Sequence, residues 1–142
     1  MTRKLRTKRV DRAQAGTYLH KARGFRADAE AMAALDGEFS GNGLAVLCVH
    51  AAIAYADALV VRGGEVKSAS GEHLDAVDLL ESVVRVASDA DRAAVKALRY
   101  VLQRKDEVSY TTTLVRPDDA ARVLERLQQF GDWAERRYAQ LG

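Results

Sequence analysis

Cysteine, proline and tryptophan each occur once in the 142 residues, at Cys48, Pro117 and Trp133. A single cysteine excludes an internal disulfide, and its apolar neighbours mark a packed thiol rather than a reactive one. A lone proline leaves long stretches free of the residue that most reliably breaks helices. The pair Gly63-Gly64 is not followed by a Gly-Lys-Ser/Thr ending, which excludes a phosphate loop. No histidine follows His73. No hydrophobic segment follows the basic start, so no secretory signal is expected, and the cytoplasm is the expected compartment.

What is present points to helices. A hydrophobic content of 48% with 30% charged residues suits one globular domain. The stretch Leu44 to Val61, LAVLCVHAAIAYADALVV, is apolar on nearly every face, interrupted only by His50 and Asp57. Such a segment belongs in the middle of a bundle. It is too long for a strand. His50, Asp57 and the following Arg62 argue against a membrane span. Ala45, Ala51, Ala52, Ala54, Ala56 and Ala58 favour helix and allow close approach by neighbouring helices or a second subunit.

Around this centre the periodicity predicts four more helices. The first runs from about Asp11 to Asp36 on a stripe including Tyr18, Ala22, Phe25, Ala29 and Met32. The third opens at His73 and extends through Val84 toward Ala87. The fourth follows the N-cap chemistry of Ser88-Asp89-Ala90-Asp91 and runs toward Val108. The run from Ser109 to Thr113 should take the chain out of that helix. Pro117 with Asp118 and Asp119 starts the last. Residues 65–72 read as a plain connector. The expected fold is all-α, a compact bundle of about five helices, with residues 13–142 as one domain.

Residues 1–12 form a separate basic arm with a net charge of +5, leaving the rest at −3. Such an arm can contact phosphates, or it can be a frayed terminus that aids solubility. No aromatic residues are interleaved with its cations, so it offers no platform for stacking bases.

The order of several segments resembles the HEPN superfamily (higher-eukaryote and prokaryote nucleotide-binding domains). YLHKARGFRADAEAMAALDGEF is similar to its first helix and AVLCVHAAIAYADALVV to its second. GEHLDAVDLLESV resembles the segment after the loop. RKDEVSY followed by PDDAARVLERLQQFGDWAE resembles the late arginine motif and closing helix. The resemblance covers roughly residues 15 to 140. It implies a helical bundle that dimerises, with a minimal nucleotidyltransferase as a possible partner protein in a toxin–antitoxin pair. Active members of the superfamily are metal-independent ribonucleases carrying Arg, four to six residues, then His. Arg104 fills the arginine position. Ser109, Tyr110 and Thr111 stand where the histidine belongs. A tyrosine, with pKa about 10 against about 6.5 for histidine, is a poor base at neutral pH.

The expectation is therefore a non-catalytic or degenerate domain that binds a partner protein, a nucleotide or RNA. The alternative is a ribonuclease toxin whose base is His50 or His73. His50 and Asp57 share a helix face about 10.5 Å apart, too far to bond each other. With His73, Arg104 and Tyr110 they are the candidate ligand-binding residues, expected to meet at one end of the central helix. A sealed polar network that fixes helix register is the competing reading of the same residues. No metal or cofactor site is expected, because His50 and Asp57 lack the i, i+4 spacing of paired helical ligands.

Overall fold

The computed structural model describes residues 4–35, 41–110 and 114–142, with Ser109 and Tyr110 described by backbone alone. The helices are α1 (Ala15–Ala34), α2 (Gly41–Gly64), α3 (His73–Val83), α4 (Asp89–Leu102), α5 (Lys105–Tyr110) and α6 (Pro117–Gln140). The fold is all-α, as expected, with α2 at its centre. Helices α1 and α6 pack along α2, α3 also packs on α2, and α4 lies against α6. Fifteen residues of α2 are buried, including all six alanines between positions 45 and 58. The apolar surface of this helix is spent on the chain's own packing.

Tyr55 of α2, Phe130 and Trp133 of α6 supply the largest rings of the core. Tyr55 and Phe130 meet edge to face at 6.4 Å, and Phe130 lies 5.9 Å from Trp133. Gly131 lets these helices close. A Cβ there would stand 3.0 Å from Tyr55 Cε2 and 2.8 Å from an Arg26 guanidinium nitrogen. Cys48 is buried, and burial pushes its thiol up to about 12, so it is a packing residue.

The structure departs from the sequence reading in three places. First, the basic arm and the connector pair with one another. Strands β1 (Thr7–Arg9) and β2 (Val66–Ser68) are antiparallel, with Lys8 opposite Lys67. The Val10 amide donates to the Glu65 carbonyl at 3.0 Å, and the Ala69 amide to that of Arg6 at 2.9 Å. These residues are thus tied to the body by backbone bonds that periodicity does not register. Second, the fourth helix breaks at Gln103-Arg104, and α5 resumes at Lys105 and carries Ser109 and Tyr110 in helix. Residues 111–113, where the chain was expected to leave the helix, lie outside the described residues. Third, α3 stops at Val83, four residues short of the predicted end.

The turn after α2 is also instructive. The left-handed residue is Glu65, with φ 53°, rather than a glycine. Gly63 and Gly64 are needed for proximity: a Cβ on either would meet the Val83 side chain at 3.0–3.1 Å.

Candidate functional site

Two turns of α2 separate the two polar residues of the central helix, and their fates differ. His50 is exposed and stacks on Phe25 of α1, with ring centres 5.4 Å apart. Asp57 is buried at 7% exposure, where the adjoining β-ribbon delivers a cation to it. Lys67 Nζ lies 3.7 Å from Asp57 Oδ2 and 5.1 Å from the centre of the Tyr18 ring. Burial pushes the Asp57 carboxyl up to about 6, against the opposing pull of Lys67, Lys8 and Lys21.

Beside Asp57 opens a cavity of about 220 Å³, lined by Lys67, Ser68, Ser70, His73 and Lys105 among others. The Ser68 Oγ accepts from the Ser70 amide at 3.3 Å, and the Ser70 Oγ from the Glu72 amide at 3.0 Å. These two bonds shape the turn that leads into α3. Glu72 at the N-cap makes no side-chain cap bond, and of the first-turn amides of α3 that of Asp75 donates to the Glu72 carbonyl at 3.1 Å. The lining is mixed in charge, with Lys67, Lys105 and His73 alongside Asp57 and Glu72. Such a set can hold a phosphate on its cations and hydroxyl or amino groups on its carboxylates.

Of the sequence-derived candidates, Asp57 and His73 therefore share one cavity. His50 lines a much smaller neighbouring pocket of about 40 Å³, with Ile53 and Lys105 common to both. Arg104 is elsewhere. Its guanidinium lies 4.7 Å from the Tyr100 ring centre and pairs with Glu107 at 3.3 Å, beside a separate pocket of about 150 Å³. The Tyr110 side chain is outside the described residues. Arg104 does not join Asp57 and His73 at the end of the central helix where these groups were expected to meet, because the chain turns at Gln103-Arg104. That turn puts Lys105 at the cavity in its neighbour's place.

Lys67 and Lys105 are the site residues that sequence reasoning missed. Lys67 sits in the segment read as a plain connector, and only strand pairing carries it over Asp57. Nothing in the sequence distinguishes Lys105 from the adjacent Arg104. Among the described residues, no group of three His, Cys, Asp or Glu side chains is placed to hold a metal ion.

A second electrostatic centre is built around Asp91. Its side chain closes the capping box with Ser88 at the start of α4, accepting from the Ser88 amide at 3.1 Å and the Ala87 amide at 3.0 Å. It also accepts from Trp133 Nε1 at 3.0 Å and from Arg137 at 2.8 Å, both on α6. The Ala87 amide and Arg137, with Trp133 and Ser88 behind them, hold this carboxyl far below the usual range. Four donors on one carboxylate, clamping two helices, make a structural joint.

A third group joins α1 to α6. Arg23 forks onto Glu135 with bonds of 2.7 and 2.6 Å, and Arg26 reaches Asp132 at 2.9 Å. The Tyr55 hydroxyl donates to Glu135 at 3.4 Å. None of these side chains lines a cavity described above, and the network is a structural joint.

No protein family, curated protein or solved structure matches the chain.

Proposed function

We propose that this chain is a non-catalytic, HEPN-like helical domain that binds a phosphate-bearing small ligand of mononucleotide size. The observation that carries the reading is the cavity where Asp57, Lys67, His73 and Lys105 meet at the N-terminus of α3. A helix N-terminus favours an anion through its free amides and its dipole. Lys105 forms no ion pair among the described residues, so its ammonium is free to meet a phosphate. Asp57, more deeply placed, accepts from a ribose hydroxyl or a base amino group. The order of segments that resembles the HEPN superfamily supports the same reading.

Calorimetric titration with nucleoside monophosphates, the matching nucleosides and inorganic phosphate tests it. A monophosphate should bind more tightly than its nucleoside, and Lys105→Ala should remove that difference. Absence of binding at millimolar ligand, or binding indifferent to Lys105→Ala, would overturn the proposal.

The arrangement around Arg104 favours a domain without ribonuclease activity. Arg104 is engaged by Tyr100 and Glu107, and neither His50 nor His73 shares its pocket. Incubation with single-stranded RNA and a chelator should leave the RNA intact. Cleavage that Arg104→Ala abolishes would establish the ribonuclease toxin instead. A nucleotidyltransferase-type partner belongs to this proposal too, and co-purification from native lysate is its test.

A further inference from the structure

A larger cavity than the one discussed above opens elsewhere on the molecule. It is an open groove of about 550 Å³ between α3 and α4. Its floor is apolar, made by Val86, Val95 and the ring of Tyr100, and its rim is cationic. Arg92, Lys96 and Arg99 stand along α4 at spacings of four and three residues, so they form one row. Arg92 is held by Asp89, and Arg99 lies 3.5 Å from Glu81 across the groove. Lys96 has no ion-pair partner among the described residues. With Asp89 and Glu81 set against the three cations, Lys96 leaves the groove with a net positive charge of one over its apolar floor.

We infer that this groove docks an acidic amphipathic helix from a partner protein. An apolar strip beside a row of charges is the complement of a helix with apolar and acidic faces. The row from Arg92 to Gln103 runs about 16 Å along α4, room for three turns of an opposing helix. Acidic residues spaced three and four apart on that helix would meet Lys96 and compete with Asp89 and Glu81 for Arg92 and Arg99, while its apolar residues cover Val86 and the small exposed edge of Val95. A nucleic acid fits less well. The groove's one aromatic ring, Tyr100, is already engaged by the Arg104 and Arg126 guanidiniums, 4.7 and 5.7 Å from its centre. Its apolar floor would gain nothing from a phosphate backbone.

The test is selection from a displayed library of helical peptides against the full chain, followed by fluorescence anisotropy on the enriched peptides. Enriched sequences should combine Asp or Glu at three-and-four spacing with an apolar stripe. Replacing their acids with amides should weaken binding at least tenfold, as should Lys96→Glu in the protein; Val95→Asp, which spoils the floor, should do the same. Circular dichroism checks that each variant is folded, and Lys96→Glu, on the exposed face of α4, keeps the test valid should Val95→Asp fail to fold. The inference is overturned by failure to enrich any peptide, or by an enriched set without acidic bias. It is equally overturned if a single-stranded oligonucleotide displaces the peptide and itself loses affinity in Lys96→Glu, which makes the surface a nucleic-acid site. Self-association of the chain that Lys96→Glu abolishes would assign the groove to a second copy and overturn it as well.

Discussion

At the scale of single residues, two buried aspartates show opposite electrostatics for reasons the surroundings make plain. Asp91 has four donors and is stabilised as a carboxylate; Asp57 has one lysine at 3.7 Å and is destabilised by burial. The pH consequences differ in sign. Because the folded-state pKa of Asp91 is depressed, its stabilisation is complete above about pH 4, the unfolded value, and is lost as pH falls through that range and below. Asp91→Ala should cost about 3 kcal/mol at pH 7, the range for breaking a buried charge pair, and less at pH 3. Urea denaturation at both values checks this. Because the folded-state pKa of Asp57 is raised to about 6, its cost is absent below about pH 4, grows between pH 4 and 6, and is full above. Asp57→Asn should therefore stabilise the protein by about 1–2 kcal/mol at pH 7.5, with no gain at pH 4. An equal effect at both pH values would refute the burial argument. Glu65 offers a third case, since its positive φ disfavours a side chain. Glu65→Gly should raise stability by up to about 1 kcal/mol, seen as a higher unfolding midpoint, since the exposed contact with Arg9 at 3.5 Å is the smaller term.

At the scale of elements, the positions of α1, α2 and α6 depend on small residues at their crossings. Gly131→Ala would place a methyl against Tyr55 and Arg26. Overpacking of that kind costs about 1–3 kcal/mol, against about 1 kcal/mol gained in helix propensity, so net destabilisation is expected. Thermal unfolding of the variant measures it, and an unchanged or higher midpoint would show that Arg26 simply moves aside. Gly41 is stricter still, because a Cβ there would land inside the Val115 carbonyl, and backbone cannot swing away as a side chain can. The Asn42 side chain accepts from the Val115 amide at 2.6 Å in the same place, so the start of α2 and the approach to α6 are joined twice. The ribbon of β1 and β2 is the remaining element-level joint. Its six residues are short and largely exposed or half-buried, yet they place Lys67 over Asp57 and so define one wall of the cavity.

At the scale of the whole molecule, the alanine-rich faces of α2 are covered by the chain's own helices, so they are not where a second subunit would dock. The homodimer implied by the HEPN resemblance would have to use outer surfaces, where Leu35, Leu74 and Leu114 are the exposed large apolar residues among those described. Light scattering at tens of micromolar, above typical weak affinities, should show a dimer; a strict monomer would refute this expectation from the resemblance. The all-α class, the central place of α2, the Ser88 cap and the start of the last helix at Pro117 were legible in the sequence, because each rests on composition, periodicity or a neighbour within one turn. The packed state of Cys48 was legible for the same reason. What only the tertiary structure decided is which polar groups meet. His50 and Asp57 share a face in sequence, yet α1 leaves the first at the surface under Phe25 while the β-ribbon buries the second beside Lys67. Likewise the chain's turn at Gln103-Arg104 hands the cavity to Lys105 and leaves Arg104 on Tyr100. Pairing between residues 57 and 67, or 91 and 137, depends on how separate elements cross, and hydrophobic periodicity carries no information about such crossings.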